Sequence, residues 1–137
     1  MELVIDASVA TQWFFPEEKS AAASAIFEEG ATLIAPDLIV SELTNVCLKK
    51  ISRREATLSQ ARAAYYSLDD ILDDLVPTRA LALPALEIAV ELNHPAYDCF
   101  YIALAQARGV EMVTADRRLS QAAASSRWGK RIRLLGT

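Results

Sequence analysis

Four acidic residues spread along the chain, Asp6, Glu42, Asp98 and Asp116, stand where an acid is placed to do chemistry. Asp6 follows the apolar run Leu3-Val4-Ile5, and Asp116 follows Val113-Thr114-Ala115. Both runs read as strands, and in open α/β sheets ligands bind outside the carboxyl ends of strands. Glu42 lies about one turn into an expected helix, on the face of Leu38 and Asn45. Asp98 falls in the first turn of another helix, among Tyr97, Cys99, Phe100, Tyr101 and Ile102. A carboxylate in such company is costly to bury unless it is paired or bound to a cation. Each acid also has an ordinary reading. Asp6 and Asp116 suit a cap or turn, and Asp98 suits first-turn capping, worth under about 1 kcal/mol. As a set, they offer hard oxygen ligands of the kind Mg²⁺ and Mn²⁺ prefer while keeping several waters. One such ion lowers the pKa of a water that attacks phosphorus, and a second stabilises the leaving oxygen. Metal also removes the repulsion that clustered carboxylates exert on each other and on phosphate.

The elements that must position these acids alternate. Leu3 to Ile5 suits a strand buried on both faces. A helix with Val9 and Trp13 on one side runs to Pro16, and a second spans about Glu17 to Glu29, with Ala22, Ala25 and Ile26 inward and Gly30 as its stop. Thr32 to Ala35 reads as a strand. Pro36-Asp37 then starts a helix over Leu38 to Lys50, with Ile39, Leu43, Val46 and Cys47 on its buried stripe. Ser52-Arg53-Arg54-Glu55 has capping-box spacing and is expected to open the helix carrying Leu58, Ala61, Tyr65, Leu68 and Leu72. A weak strand at Leu75 to Pro77 is followed by a helix with Pro84 in its first turn, ending near Asn93. A further helix spans about Tyr97 to Arg108, stopped by Gly109. Strands follow at Val110 to Thr114 and Ile132 to Leu135. Short apolar strands alternating with helices predict an α/β domain with a parallel sheet covered on both faces.

Composition agrees. The 137 residues suffice for a single domain over 1–137, and 53% hydrophobic content supplies a core without disulfide or structural metal. No apolar stretch reaches the roughly 18 residues of a membrane span. The start, Met-Glu-Leu-Val-Ile-Asp, lacks the features of a secretory signal, so a cytoplasmic protein is expected. Cys47 and Cys99 form no CxxC pair and read as small buried hydrophobes. The net charge of −4 counts mildly against a nucleic-acid binder, although carboxylates kept for metal give the same sign.

Four blocks of sequence carry a family resemblance. Val4-Ile5-Asp6-Ala7-Ser8-Val9-Ala10, followed by Trp13-Phe14-Phe15-Pro16-Glu17, resembles the start of PIN-domain toxins of the VapC type, one half of a type II toxin–antitoxin pair. Ala35-Pro36-Asp37-Leu38 to Glu42, with Asn45, is similar to their second motif. Tyr97-Asp98-Cys99-Phe100-Tyr101-Ile102-Ala103-Leu104-Ala105 resembles the third, with Cys99 where Ala is usual, and Val113 to Leu119 resembles the fourth. The resemblance implies a PIN-like three-layer α/β/α fold with a small parallel sheet, its acids meeting in one pocket. It implies a Mg²⁺- or Mn²⁺-dependent endoribonuclease, a homodimer paired with a separately encoded antitoxin. Carried over by position, Asp6, Glu42, Asp98 and Asp116 would bind metal, with Asp116 acting through water or weakly. Ser8, Asn45 and Thr114 would supply supporting hydrogen bonds; their plain readings are an N-cap, a surface amide and a strand Thr.

Several features are expected to be structural. Tyr97 and Tyr101 read as packing residues rather than RNA-stacking platforms, and Trp13 and Phe14 as core or partner surface. Asp69, Asp70, Asp73 and Asp74 read as a solvated face. His94, before Pro95, lacks a ligand partner at metal spacing, and no hydrolytic triad can be built on it. The basic runs Lys49-Lys50, Arg53-Arg54 and Arg117-Arg118, with Arg127, Lys130, Arg131 and Arg133, suit either solvated charge or RNA phosphates. Two other functions fit an α/β domain. An Asp-dependent phosphatase would want an acid where Ser8 stands, and a receiver would want a lysine beyond a late strand; neither is present. A catalytically silent PIN-like binding module remains open, made less attractive by four intact acids.

Overall fold

A computed structural model describes residues 1–136. Its centre is a parallel sheet built from β1 (Glu2–Ile5), β2 (Thr32–Pro36), β3 (Asp74–Val76), β4 (Glu111–Thr114) and β5 (Ile132–Leu134), in the order β3-β2-β1-β4-β5. In the central strands successive residues are buried regardless of which face they point to: Val4 and Ile5 in β1, Ile34 and Ala35 in β2, Met112 and Val113 in β4. Because side chains alternate across a strand, both faces of the sheet must be covered. The edge strands β3 and β5 are shorter and only partly buried.

The chain leaves β1 to one side toward β2 and is met on the other side by β4. That change of direction makes the carboxyl end of β1 a topological switch point, where the sheet edge opens a crevice. Helices frame it. The helix α1 (Ala7–Phe14) starts immediately beyond β1, and α3 (Leu38–Ser52) starts beyond β2. Between them α2 (Ser20–Ala25) runs on as a 3₁₀ turn, Ile26–Glu29. Ala23 and Ile26 turn inward and Ala25 is exposed, against the inward face expected for Ala25. The Trp13 indole N–H donates to the Ala23 carbonyl at 2.8 Å, and Trp13 packs against Phe14 and Phe27.

The helix α4 (Leu58–Ile71) corrects another expectation. Ser52 is the last residue of α3, and Arg54 at φ 60 breaks that helix. The capping box that opens α4 is formed by Thr57 and Gln60, each side chain accepting from the other's backbone N–H. Both sites have the required residue types, and the left-handed turn at Arg54 selects the second. After β3, α5 (Ala82–Leu92) holds Pro84 in its first turn and ends at Asn93, whose φ of 51 is one that Asn tolerates well. Next, α6 (Ala96–Arg108) packs along α5 and crosses β1, β2 and β4. It buries the unbroken run Tyr101 to Ala105. A short helix α7 (Arg117–Ala123) follows β4. Cys47 and Cys99 are free and buried.

The cap assignment is checked by unfolding. Thr57→Ala should cost about 1 kcal/mol in denaturant titration, whereas Ser52→Ala should stay within about 0.5 kcal/mol of the wild type.

Candidate active site

Asp6 is the residue directly beyond β1 and the N-cap of α1. Its peptide N–H still bonds to Val113 O at 3.3 Å, which ties the end of β1 to β4. Its carboxylate Oδ1 accepts from the backbone N–H of Ser8 at 3.0 Å and of Val9 at 3.3 Å, and from the Ser8 hydroxyl. The Ser8 and Thr114 hydroxyl oxygens lie 3.3 Å apart. Ala115 N–H donates to Ser8 Oγ at 2.9 Å, and Asp116 N–H to Thr114 Oγ1 at 3.0 Å. A polar chain therefore runs from Asp6 through Ser8 and Thr114 to the backbone of Asp116. Asp6 is only 5% exposed.

Glu42 reaches the crevice from α3, and the Tyr101 hydroxyl of α6 donates to its Oε1. Tyr101 is buried as expected of a packing residue, yet its hydroxyl belongs to the site. The signal was present in the sequence: Tyr101 is three residues after Asp98, on the same helix face. Asp98 itself is paired to His94, with Nε2 to Oδ2 at 2.7 Å. His94 is held there by the α5 cap, where its N–H donates to Ala89 O at 3.2 Å. Here too a spacing of four residues carried the signal, and reading His94 only as a turn residue missed it. Asp116 is the N-cap of α7, accepting from Arg118 N–H at 2.9 Å and Leu119 N–H at 3.4 Å. It lines a cleft together with His94, Asp98 and Arg118.

Electrostatics shows which acids share a neighbourhood. Burial lifts the Asp6 carboxyl from 3.8 to about 7, against the Ser8, Thr114 and Val9 hydrogen bonds, and the charge of Asp98 adds to the rise. Burial also raises Glu42, with Tyr101 opposing and Asp98 adding. Tyr101 is pushed well up by burial and by Glu42, with Asp6 contributing. Asp6, Glu42 and Asp98 are thus brought together, and Asp116 stands at the rim beside Asp98. As the side chains lie, no three His, Cys, Asp or Glu among the described residues stand at direct ligation spacing. Glu42 is turned to Tyr101 and Asp98 to His94.

The donor set nonetheless fits a hard divalent cation. All four groups are carboxylates, and among the described residues no Lys or Arg forms an ion pair with any of them. A buried carboxylate with no Lys or Arg paired to it among the described residues, as Asp6 is, is what a cation relieves. Of the supporting residues, Ser8 and Thr114 take part in the polar chain. Asn45 lines a groove beside Glu42 and makes no hydrogen bond to the acids among the described residues. Tyr97, expected to pack, is 67% exposed and lines the same groove. Of the acidic group after α4, Asp73 accepts from Leu33 N–H at 2.9 Å and Asp74 pairs with Arg108 at 3.0 Å, so these two hold strands rather than merely face solvent.

The raised Asp6 carboxyl fixes a sign. The folded chain holds its proton more tightly than the unfolded chain, so this group favours folding fully at low pH. That contribution falls as pH climbs from 3.8 through about 7. In chelator, pH-dependent denaturant titration should show the loss, on the order of a few kcal/mol, and Asp6→Asn should flatten it.

Comparison with known proteins agrees with this geometry. The PIN domain family profile matches residues 3–125. Ribonuclease VapC3 of Pyrobaculum aerophilum is 30% identical over 123 residues, covering 88% of this chain and 94% of that protein. Ribonuclease VapC1 of Mycobacterium tuberculosis is 32% identical over 90 residues, covering 64% of this chain and 65% of that protein. A crystal structure of a Pyrobaculum aerophilum protein superposes with a TM-score of 0.67 at 22% identity, over 89% of this chain and 79% of that one. With its acids gathered at the switch point of a five-stranded parallel sheet and a family match over most of its length, the chain belongs to the PIN domain family.

Proposed function

We propose that this chain is a Mg²⁺- or Mn²⁺-dependent endoribonuclease and the toxin of a toxin–antitoxin pair. The observation that carries the reading is the gathering of Asp6, Glu42 and Asp98 at the switch point, with the charge of Asp98 acting on both of the others and none of the three paired with Lys or Arg among the described residues. The names of the VapC relatives support RNA as substrate. The 137 residues act as one PIN domain.

Asp6, Glu42 and Asp98 would hold the cation, with Asp116 at the rim. The chemistry such an ion supplies when bound is charge at the phosphate and water acidic enough to attack it near neutral pH. The residues do the rest. Asp6 is fixed by its cap bonds and by Ser8, so its carboxylate cannot swing away from the crevice. Tyr101 and His94 orient the Glu42 and Asp98 carboxylates. Arg118, beside Asp98 and Asp116, meets the charge of an approaching phosphate. In-line attack needs the reacting groups held in position more than any covalent step.

Cleavage of structured RNAs with Mn²⁺ should fall by roughly two orders of magnitude or more in Asp6→Asn, and chelator should abolish it in the wild type. Equal activity in the variant would defeat the assignment of Asp6, and no cleavage by the wild type would leave a binding module of the same fold. Association completes the reading: the chain acts in the cytoplasm as a homodimer neutralised by a cognate antitoxin, which places a basic side chain over the acids. No helix among the described residues is long and apolar enough to cross a membrane. Light scattering should show a dimer alone and a larger complex with antitoxin; monomer in both would refute the association.

A further inference from the structure

The acid centre has two unlike flanks. On one side lies the cleft of His94, Asp98, Asp116 and Arg118. On the other a groove of about 660 Å³ runs between α1, α3 and the start of α6, with Leu38, Ser41, Glu42, Asn45, Val46 and Tyr97 among its walls. None of the described residues lining this groove is Lys or Arg, and Glu42 stands in it as an acid. A phosphate would be repelled there. What the groove can accept is a flat, neutral, amphipathic group: Leu38 and Val46 give apolar walls, while Ser41 and Asn45 give donors and an acceptor for a polar edge. Tyr97 adds an aromatic ring that is 67% exposed and adjacent in sequence to Asp98. An aromatic ring left in water beside an acid site that needs a phosphodiester has the form of a stacking platform for an unpaired base.

We propose that this groove is a nucleobase subsite, in which Tyr97 stacks on one unpaired base of the RNA strand and Ser41 and Asn45 read its edge. The adjoining phosphate then lies over the acids and the next toward Arg118, so the two flanks sort base from backbone. This rests on the ribonuclease reading and adds to it where substrate selectivity resides. Stacking requires single-stranded RNA at this point, because a paired base cannot leave its helix to enter the groove.

The test uses a short single-stranded RNA, chosen from a randomised pool as one the wild type cleaves with Mn²⁺, and a set of copies carrying an abasic residue at each position in turn. Tyr97→Leu should raise KM roughly 5- to 100-fold, the effect of losing one base–aromatic stack, with kcat little changed. Tyr97→Phe should remain near the wild type, and the unfolding midpoint of both should not move. One abasic position should weaken the wild type and have no further effect on Tyr97→Leu. Unchanged KM in Tyr97→Leu, or an abasic penalty that survives it, overturns the subsite. So does a Tyr97→Leu variant that loses antitoxin binding while cleaving RNA normally, since the groove is then a protein-docking surface. If Asp6→Asn abolishes cleavage while Tyr97 is without effect, only the subsite falls. If the wild type cleaves no RNA, the ribonuclease reading falls and takes the subsite with it.

Discussion

The structure is organised around one costly placement: the carboxylate of Asp6, buried at the end of the central strand with no positive side chain paired to it among the described residues. Its position is not negotiable. The residue before it completes β1, its own N–H bonds to β4, and its side chain begins α1. Cap hydrogen bonds and the Ser8 and Thr114 hydroxyls recover part of the lost hydration, yet burial still dominates and raises the carboxyl's pKa. Strongly displaced carboxyls of this kind concentrate where a protein binds or transforms something charged. Here stability and function pull against each other at one residue, and a bound cation would relieve the conflict.

Around that centre the other acids are held by neighbours rather than left free. Tyr101 takes Glu42, His94 takes Asp98, and the first turn of α7 takes Asp116. These contacts keep like charges from occupying the same space. The same helices that bring the acids also shape the two flanks. From α1, α3 and α6 comes a mixed apolar and polar groove with no Lys or Arg among the described residues lining it, while the α5–α6 turn and α7 make a cleft containing Arg118. A nucleotide has the same division, a flat base and a charged phosphate.

Where reading along the chain succeeded, the information was local. The continuous apolar run Leu3–Ile5 marks a buried parallel strand because no alternation is needed when both faces are covered, and Val110–Thr114 reads as a strand although Glu111 interrupts its apolar residues. Where it failed, two local answers were equally good or the partner was distant. Ser52–Glu55 and Thr57–Gln60 both have capping-box spacing, and only the backbone turn at Arg54 separates them. Tyr97 and Tyr101 are indistinguishable as residue types, and their difference in exposure arises from which neighbours α6 meets. The short α7 is not among the expected elements, although Asp116 suits a cap; that residue both caps α7 and lines the cleft.

By itself the sequence determined the alternation of strands and helices, the placement of Asp6 and Asp116 beyond strand ends, and a four-block resemblance that names the acids. These follow from hydrophobic period and short-range chemistry, which a linear pattern contains. Tertiary structure alone decided that Asp6, Glu42 and Asp98 feel one another across β1, α3 and α6, that Asp6 loses its water, and that Tyr97 keeps its own. Desolvation and repulsion depend on distance through space, and only packing of the helices on the sheet converts separations of dozens of residues into such distances.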